Sequence, residues 1–263
     1  YSERAGVDGV AQAMSGAAYL TGQADGPTKS YAPWVDFGTA VLSAYGTIAA
    51  LMGRQQTGKG QMVEGALLAT ALNFFNFHLI EQDLRQTNRT AIGNRSPYAG
   101  PADCVQTKDG WIFVQVIGDP LFRRWAKLVG EEEWLSDPRF KNDLSRGEHG
   151  EVLSARTSQW AATRTTAEAL EALEAARLPA GPVYSPQQAL DDPHIQAMNF
   201  MNPVDFPGLP KPAPLMDTPI KLSATPGGIR HRAPLLGEHT DDILADLGYS
   251  SDAIAKFRAD GVI

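Results

Sequence analysis

Trp34-Val35-Asp36-Phe37-Gly38-Thr39 opens a run of mixed large and small apolar residues. It continues through Val41-Leu42-Ser43-Ala44-Tyr45-Gly46-Thr47-Ile48-Ala49-Ala50-Leu51-Met52 and stops at Thr57-Gly58-Lys59-Gly60-Gln61. The run reads as one long buried helix, because Gly38, Gly46 and Gly53 each cost intrinsic helicity that only close packing offsets. Arg54 sits near the C-terminal end, where a cation is favoured, and Thr57-Gly58-Lys59-Gly60 supplies the stop. Asp36 falls at the start, where a carboxylate can accept from the free N–H groups of the first turn. A helix cap is therefore one reading of Asp36, and a reactive carboxylate is the other.

Composition bounds the answer without choosing between them. The chain has 263 residues, 43% of them hydrophobic, enough for a substantial core and one or two domains. Its net charge is -7 and it has no long basic block, which argues against a nucleic-acid or acidic-membrane partner. One cysteine, Cys104, excludes an internal disulfide framework and a cysteine-cluster metal site; it is expected to be a buried strand residue. No signal pattern or membrane-length apolar run is read in the sequence, so a cytoplasmic location is expected. Glu238 and His239 lack further partners at metal-ligand spacing and are assigned to a turn or cap.

Along the chain, residues 1–86 are helical and rich in small residues, with a second apolar helix from about Glu64 to Leu84. The polar stretch from Gln86 to Pro97 marks the passage into a second domain. There Ala102–Gln106 and Trp111–Ile117 read as strands around the Lys108-Asp109-Gly110 turn. Asp119-Pro120 starts a helix that Gly130 closes, with Arg123 and Arg124 on its solvated side. Thr165 and Glu168 form a capping box, and Ser185-Pro186 opens a shorter helix. Pro203, Pro207, Pro210, Pro212, Pro214 and Pro219 demand an extended segment. Thr240 is placed as the cap of a last acidic-started helix that exits at Gly248.

Four further blocks join the Asp36 segment: Gly9-Val10-Ala11-Gln12-Ala13-Met14-Ser15-Gly16, Thr21-Gly22 with Asp25-Gly26-Pro27, Thr57-Gly58-Lys59-Gly60-Gln61, and Pro234-Leu235-Leu236-Gly237-Glu238-His239-Thr240. In this order, spanning nearly the whole chain, they resemble the class III CoA-transferases, also called the CaiB/BaiF family. The resemblance implies an α/β fold: a partial Rossmann-like large domain over 1–92, a small α+β domain over 93–200, and a return segment with C-terminal helices over 201–263. It implies a homodimer, in the family often interlocked as linked rings, with coenzyme A and acyl-CoA as substrates and no tightly bound cofactor. It also implies that the upstream half of the large domain is missing from this stretch.

On the same resemblance, Asp36 is the nucleophile. It would attack a donor acyl-CoA to give a mixed anhydride, become an aspartyl-CoA thioester, and pass CoA to an acceptor carboxylic acid. Gln12 and Gly38 belong to the blocks beside it and are expected to line the site. Ala5 falls near a CoA-contacting Lys position of the formyl-transferring members and cannot supply that charge, which leaves neighbouring Arg4 as the candidate. Two alternatives stay open. The related 2-methylacyl-CoA racemases place a His at the position of Val7, and valine carries no proton; His78 could replace it or be a packed, hydrogen-bonded residue. A noncatalytic CoA-binding or assembly subunit is the third reading.

Overall fold

The computed structural model describes residues 3–263 and divides the chain into two compact units, 1–183 and 184–263. The first unit begins with helices only: α1 (Asp8–Met14), α2 (Ala17–Leu20), α3 (Trp34–Thr57) and α4 (Leu67–Arg85). Gly16, at a φ of 88°, makes the turn between α1 and α2. Gly58, also left-handed, ends α3 with its N–H on the Arg54 carbonyl. α3 lies against α1 and α4. Its contact side runs through Val35, Thr39, Ser43, Gly46 and Ala50, one helical stripe of partly or fully buried positions.

The expectation that α3 is buried is corrected here. Val35 is its only buried residue, and a second stripe, Phe37, Val41, Tyr45, Ile48 and Met52, is exposed by 59% or more along its length. The helix is apolar on two faces, and the described chain covers one. The expected absence of a membrane-length run is corrected too, since α3 is the one helix among the described residues long and apolar enough to span a bilayer. A core helix of a soluble protein passes the same test, so length alone assigns no membrane role.

A three-stranded antiparallel sheet follows, in the order β1 (Ala102–Gln106), β2 (Trp111–Gln115), β3 (Ala180–Pro182). α5 (Asp119–Val129), α6 (Asp143–Glu148), α7 (Gly150–Ala162) and α8 (Thr166–Ala175) complete this half. The core holds Val105, Ile112 and Val114 from the sheet, Phe122 and Trp125 from α5, and Leu153 and Leu173 from α7 and α8. The local signals act as read: Gly130 at φ 79° closes α5, and Thr165 with Glu168 forms a reciprocal capping box. Arg123 and Arg124 are exposed, and Arg124 spends its guanidinium on the carbonyls of Pro120 and Arg177. Cys104 lies on a strand but is only half-buried, and burial raises its thiol pKa. Among the described residues no strand precedes Ala102, so this stretch shows a mixed helix and antiparallel-sheet architecture without a Rossmann-like parallel sheet.

The second unit holds α9 (Pro186–Asp191), α10 (Pro193–Ala197), the hairpin β4 (Met201–Val204) with β5 (Ala213–Met216), α11 (Thr240–Asp246) and α12 (Ser251–Ala259). Ser185 caps α9 in a capping box with Gln188. The proline-rich segment is free of helix as expected, but it is not one extended run: it doubles back at a turn through Pro207-Gly208, and the hairpin sets Pro203 opposite Pro214. Thr240 is corrected from cap to first helical residue: His239 takes the cap position and makes no side-chain cap bond. Glu238 instead accepts from the Leu235 N–H and pairs with Arg232, which holds its carboxyl down at about 2.

Candidate active site

The start of α3 is held from a distance. Asp8, the first residue of α1, is buried, and its Oδ2 accepts from the backbone N–H groups of Val35 (2.9 Å) and Asp36 (3.3 Å). A carboxylate at a helix N-terminus satisfies orphan donors and meets the positive end of the dipole. Asp8 therefore performs the capping that the sequence offered to Asp36. The Asp36 side chain, in the first turn of α3, is left exposed and available.

Gln12 fixes Asp8 in turn. It is 1% exposed; its amide nitrogen donates to Asp8 Oδ1 at 2.5 Å, and its oxygen accepts from Ser30 N–H at 2.8 Å. Both ends of the side chain are thus engaged in holding the segment that leads into α3. The structure links Gln12 to Asp36 through Asp8 rather than through a shared surface. Gly38 lies two residues further along α3, on the side that faces α4, where an added Cβ would come within 2.5 Å of Phe74 Cε2 and 3.3 Å of Thr70 Cγ2. Its bareness lets α3 approach α4, and the Thr39 and Thr70 hydroxyls meet at 2.9 Å in the same contact. Arg4 is exposed in the bend before α1, and Val7 is the exposed N-cap residue of that helix.

A second cluster lies along α4. His78 and Glu81, one turn apart, meet Arg89 and Tyr98 from the segment that follows. Glu81 accepts from Arg89 Nε at 2.7 Å and Nη2 at 2.6 Å, and from the Tyr98 hydroxyl at 2.7 Å. The Arg89 guanidinium, with help from Tyr98, holds the Glu81 carboxyl down at about 2, against the opposing effect of burial. The Tyr98 hydroxyl also lies 3.1 Å from His78 Nδ1. Burial lowers the pKa of His78. His78 also forms part of the wall of a recess of about 430 Å³, between α2, α4 and the 87–97 segment. Sequence reading named His78 and missed the other three. Their only signal was the i, i+3 placement of His78 and Glu81 on one helical face. Among the described residues no group of three or more His, Cys, Asp or Glu is placed to hold a metal ion.

With this geometry in place, comparisons identify the scaffold. Residues 1–240 match the sequence profile of CoA-transferase family III. The chain is 32% identical over 266 residues to a succinyl-CoA–D-citramalate CoA-transferase of Chloroflexus aurantiacus, covering 100% of this chain and 66% of that protein. It is 32% identical to a succinyl-CoA:mesaconate CoA-transferase of Haloarcula hispanica, over 92% of this chain and 60% of that one. A formyl-CoA:oxalate CoA-transferase of Rhodopseudomonas palustris is 33% identical, over 97% and 65%. The chain thus spans roughly two thirds, or less, of the length of these relatives. Among solved structures, a CaiB/BaiF family protein from Brucella suis superposes with a TM-score of 0.76 at 27% identity, over 94% of this chain and 64% of that one. A Mycobacterium tuberculosis protein, at TM-score 0.74 and 23% identity over 90% and 62%, shares the fold. By the profile, the relatives and the shared fold together, this chain belongs to CoA-transferase family III, the CaiB/BaiF family.

Proposed function

We propose that the protein moves coenzyme A from an acyl-CoA donor to a carboxylic acid acceptor, with Asp36 as the nucleophile. The observation that carries the reading is the exposed Asp36 carboxylate on a helix start whose N–H groups Asp8 already satisfies. Asp36 is thereby freed from a capping duty and held on a fixed backbone, as a nucleophile that must meet a thioester carbonyl requires. Its attack expels CoA thiolate and forms a mixed anhydride. The thiolate then attacks the Asp36 acyl carbon, which releases the donor acid and leaves an aspartyl-CoA thioester. The acceptor carboxylate attacks that thioester, expelling CoA again, and the returning thiolate takes the acceptor acyl group and frees Asp36. Each covalent state keeps the activation of the original thioester, so the exchange proceeds without hydrolytic loss.

Gln12 supports this chemistry as a positioning residue through Asp8, Gly38 by permitting the close helix contact, and Arg4 as a contact for the phosphates of CoA. Coenzyme A is substrate in this scheme, not a resident cofactor. The relatives named above use D-citramalate, mesaconate and oxalate, all dicarboxylic acids, which supports a small dicarboxylic acid as acceptor. We assign the protein to the cytoplasm as a homodimer. Its three parts are 1–92 and 201–263, both of a large domain, and 93–200, the small domain. The exposed Phe37 to Met52 stripe of α3 is apolar surface that a larger assembly would bury.

Racemization is the second reading. The exposed Val7 cannot carry a proton, and His78 is engaged with Tyr98, so the residues that support transfer do not equally support proton exchange. The test is rapid quenching with a pool of short, branched, dicarboxylic and aromatic acyl-CoAs, followed by peptide mass spectrometry. A hydroxylamine-sensitive adduct on Asp36 is expected. Turnover without that adduct, or washout of an α deuterium from the acyl group, would overturn the assignment.

A further inference from the structure

The end of α8 carries a side chain that its backbone does not favour. The Leu178 N–H donates to the Leu173 carbonyl at 2.9 Å, and the Arg177 N–H to the Glu174 carbonyl at 2.8 Å. This closure needs one left-handed residue just past the helix, and glycine is the usual choice. Here that residue is Arg177, at a φ of 52°. Glycine would make the turn at lower conformational cost, so the chain holds a guanidinium where the local backbone gives no reason for one.

Arg177 stands at the edge of an open groove of about 740 Å³ between the last turns of α5 and α8. The floor is apolar: Leu128 from α5, with Ala172, Ala175 and Ala176 on one face at the end of α8. The rim is cationic, formed by Arg124, Lys127 and Arg177. Arg124 ties the two sides together, its Nη1 donating to the Arg177 carbonyl at 3.1 Å. The Lys127 and Arg177 side chains are exposed and have no bond or ion pair among the described residues. Glu171 and Glu174 belong to α8 but not to the wall of the groove. A cation at a helix C-terminus also suits the dipole. That accounts for one charge per helix, not for three around a shared apolar floor.

We propose that this groove docks an amphipathic helix of a partner protein, apolar along one stripe and acidic on the flanks of that stripe. The alanines select a helix: spaced i, i+3, i+4, their bare Cβ atoms let a second helix axis come close while its larger side chains reach Leu128. The rim selects the charge. The chain carries -7 overall, so an acidic segment is repelled by the net charge and drawn to this cationic rim, which fixes where it lands. The groove lies on the half whose core is closed, so its shape does not depend on the partner. The proposal does not rest on CoA transfer by Asp36.

The probe is a fluorescent peptide of about five helical turns, with leucines at i, i+3, i+4 and i+7 and glutamates on both flanks. Anisotropy titration at low salt is expected to show saturable binding that weakens as salt rises. Arg177→Gly is expected to weaken binding by about tenfold while the melting temperature holds or rises and CoA transfer is unchanged. Ala175→Lys adds a charge but fills the floor, and is expected to abolish binding, which separates a groove from a merely cationic surface. A peptide with lysines in place of the glutamates, and one scrambled to break the leucine stripe, are expected not to bind. No saturable binding, equal binding of the scrambled peptide, or wild-type affinity in folded Arg177→Gly or Ala175→Lys protein would each overturn the proposal. Capture by phosphatidylserine-containing vesicles in preference to the peptide, lost in Arg177→Gly, would overturn it in favour of a membrane surface.

Discussion

Residues 102–182 and residues 8–85 belong to one unit and settle their apolar surface in opposite ways. The sheet half closes a core around Trp125, Phe122, Phe140, Ile112 and Leu153, each 2% exposed or less. The helical half gathers a cluster of only three buried residues, Ala11, Val35 and Ala71, and leaves Phe37, Tyr45, Phe74 and Phe77 half open or more. The half with the complete core holds its shape by packing. The half with the candidate nucleophile relies on polar contacts at a few points: Asp8 on the α3 start, Gln12 on Asp8, and Glu81 on Arg89 and Tyr98. A helix start can be fixed without a large core beneath it, provided the backbone donors around it are satisfied.

The contrast can be broken by substitution. Asp36→Asn is expected to abolish the covalent adduct and lower CoA transfer by about a thousandfold or more, with no change in melting temperature. A variant that still forms adducts would remove the chemistry from the helical half altogether. In the sheet half, Trp125→Ala is expected to cost about 3–5 kcal/mol in denaturant unfolding, because a fully buried aromatic leaves a cavity. A cost below about 1 kcal/mol would mean that the core is looser than its burial indicates.

Asp8→Ala tests the polar scheme. Loss of a capping acceptor is expected to cost about 1–2 kcal/mol and to slow adduct formation on Asp36 even where the protein remains folded. Full adduct rate in a folded Asp8→Ala protein would deny Asp8 its positioning role.

Glu81 offers a pH test with a defined sign. Its carboxyl titrates at about 2 in the folded chain and at the ordinary 4.5 when unfolded. The stability it contributes is complete above 4.5 and lost as pH falls toward 2. The melting-temperature gap between wild type and Glu81→Gln should be constant at higher pH and close across that window. A gap indifferent to pH would show that the cluster adds no electrostatic stability. The smallest effect is expected on the open face of α3, where Tyr45→Ser should change the stability of this chain by no more than about 0.5 kcal/mol. A larger loss would reveal cover on that face.

Legibility in sequence followed the range of the interactions. The α5 boundaries, the β1–β2 hairpin, the capping box at Thr165 and the helix start at Ser185-Pro186 were readable because their causes lie within a few residues of one another. Asp36 was readable as a candidate through its block and its family resemblance. Its true capping partner was not, because Asp8 and Val35 are 27 positions apart and no local rule joins them. The same holds for Tyr98 and Glu81, 17 positions apart. The burial of α3 was misread because an apolar pattern records what a helix can cover, not whether the described chain supplies the cover. Thr240 was misread for a smaller reason, a one-residue shift of a helix start.

The proline pair of the β4–β5 hairpin has a consequence for self-association. The Asp217 N–H donates to the Phe200 carbonyl, so counting along the register makes Pro203 and Pro214 a pair whose nitrogens point away from each other. The rings therefore sit on the two outer margins of the hairpin, at positions where any other residue would offer a donor to an incoming strand. A two-stranded ribbon with both margins blunted in this way is a poor template for a third strand. The segment can stay extended without recruiting a neighbouring copy into a growing sheet.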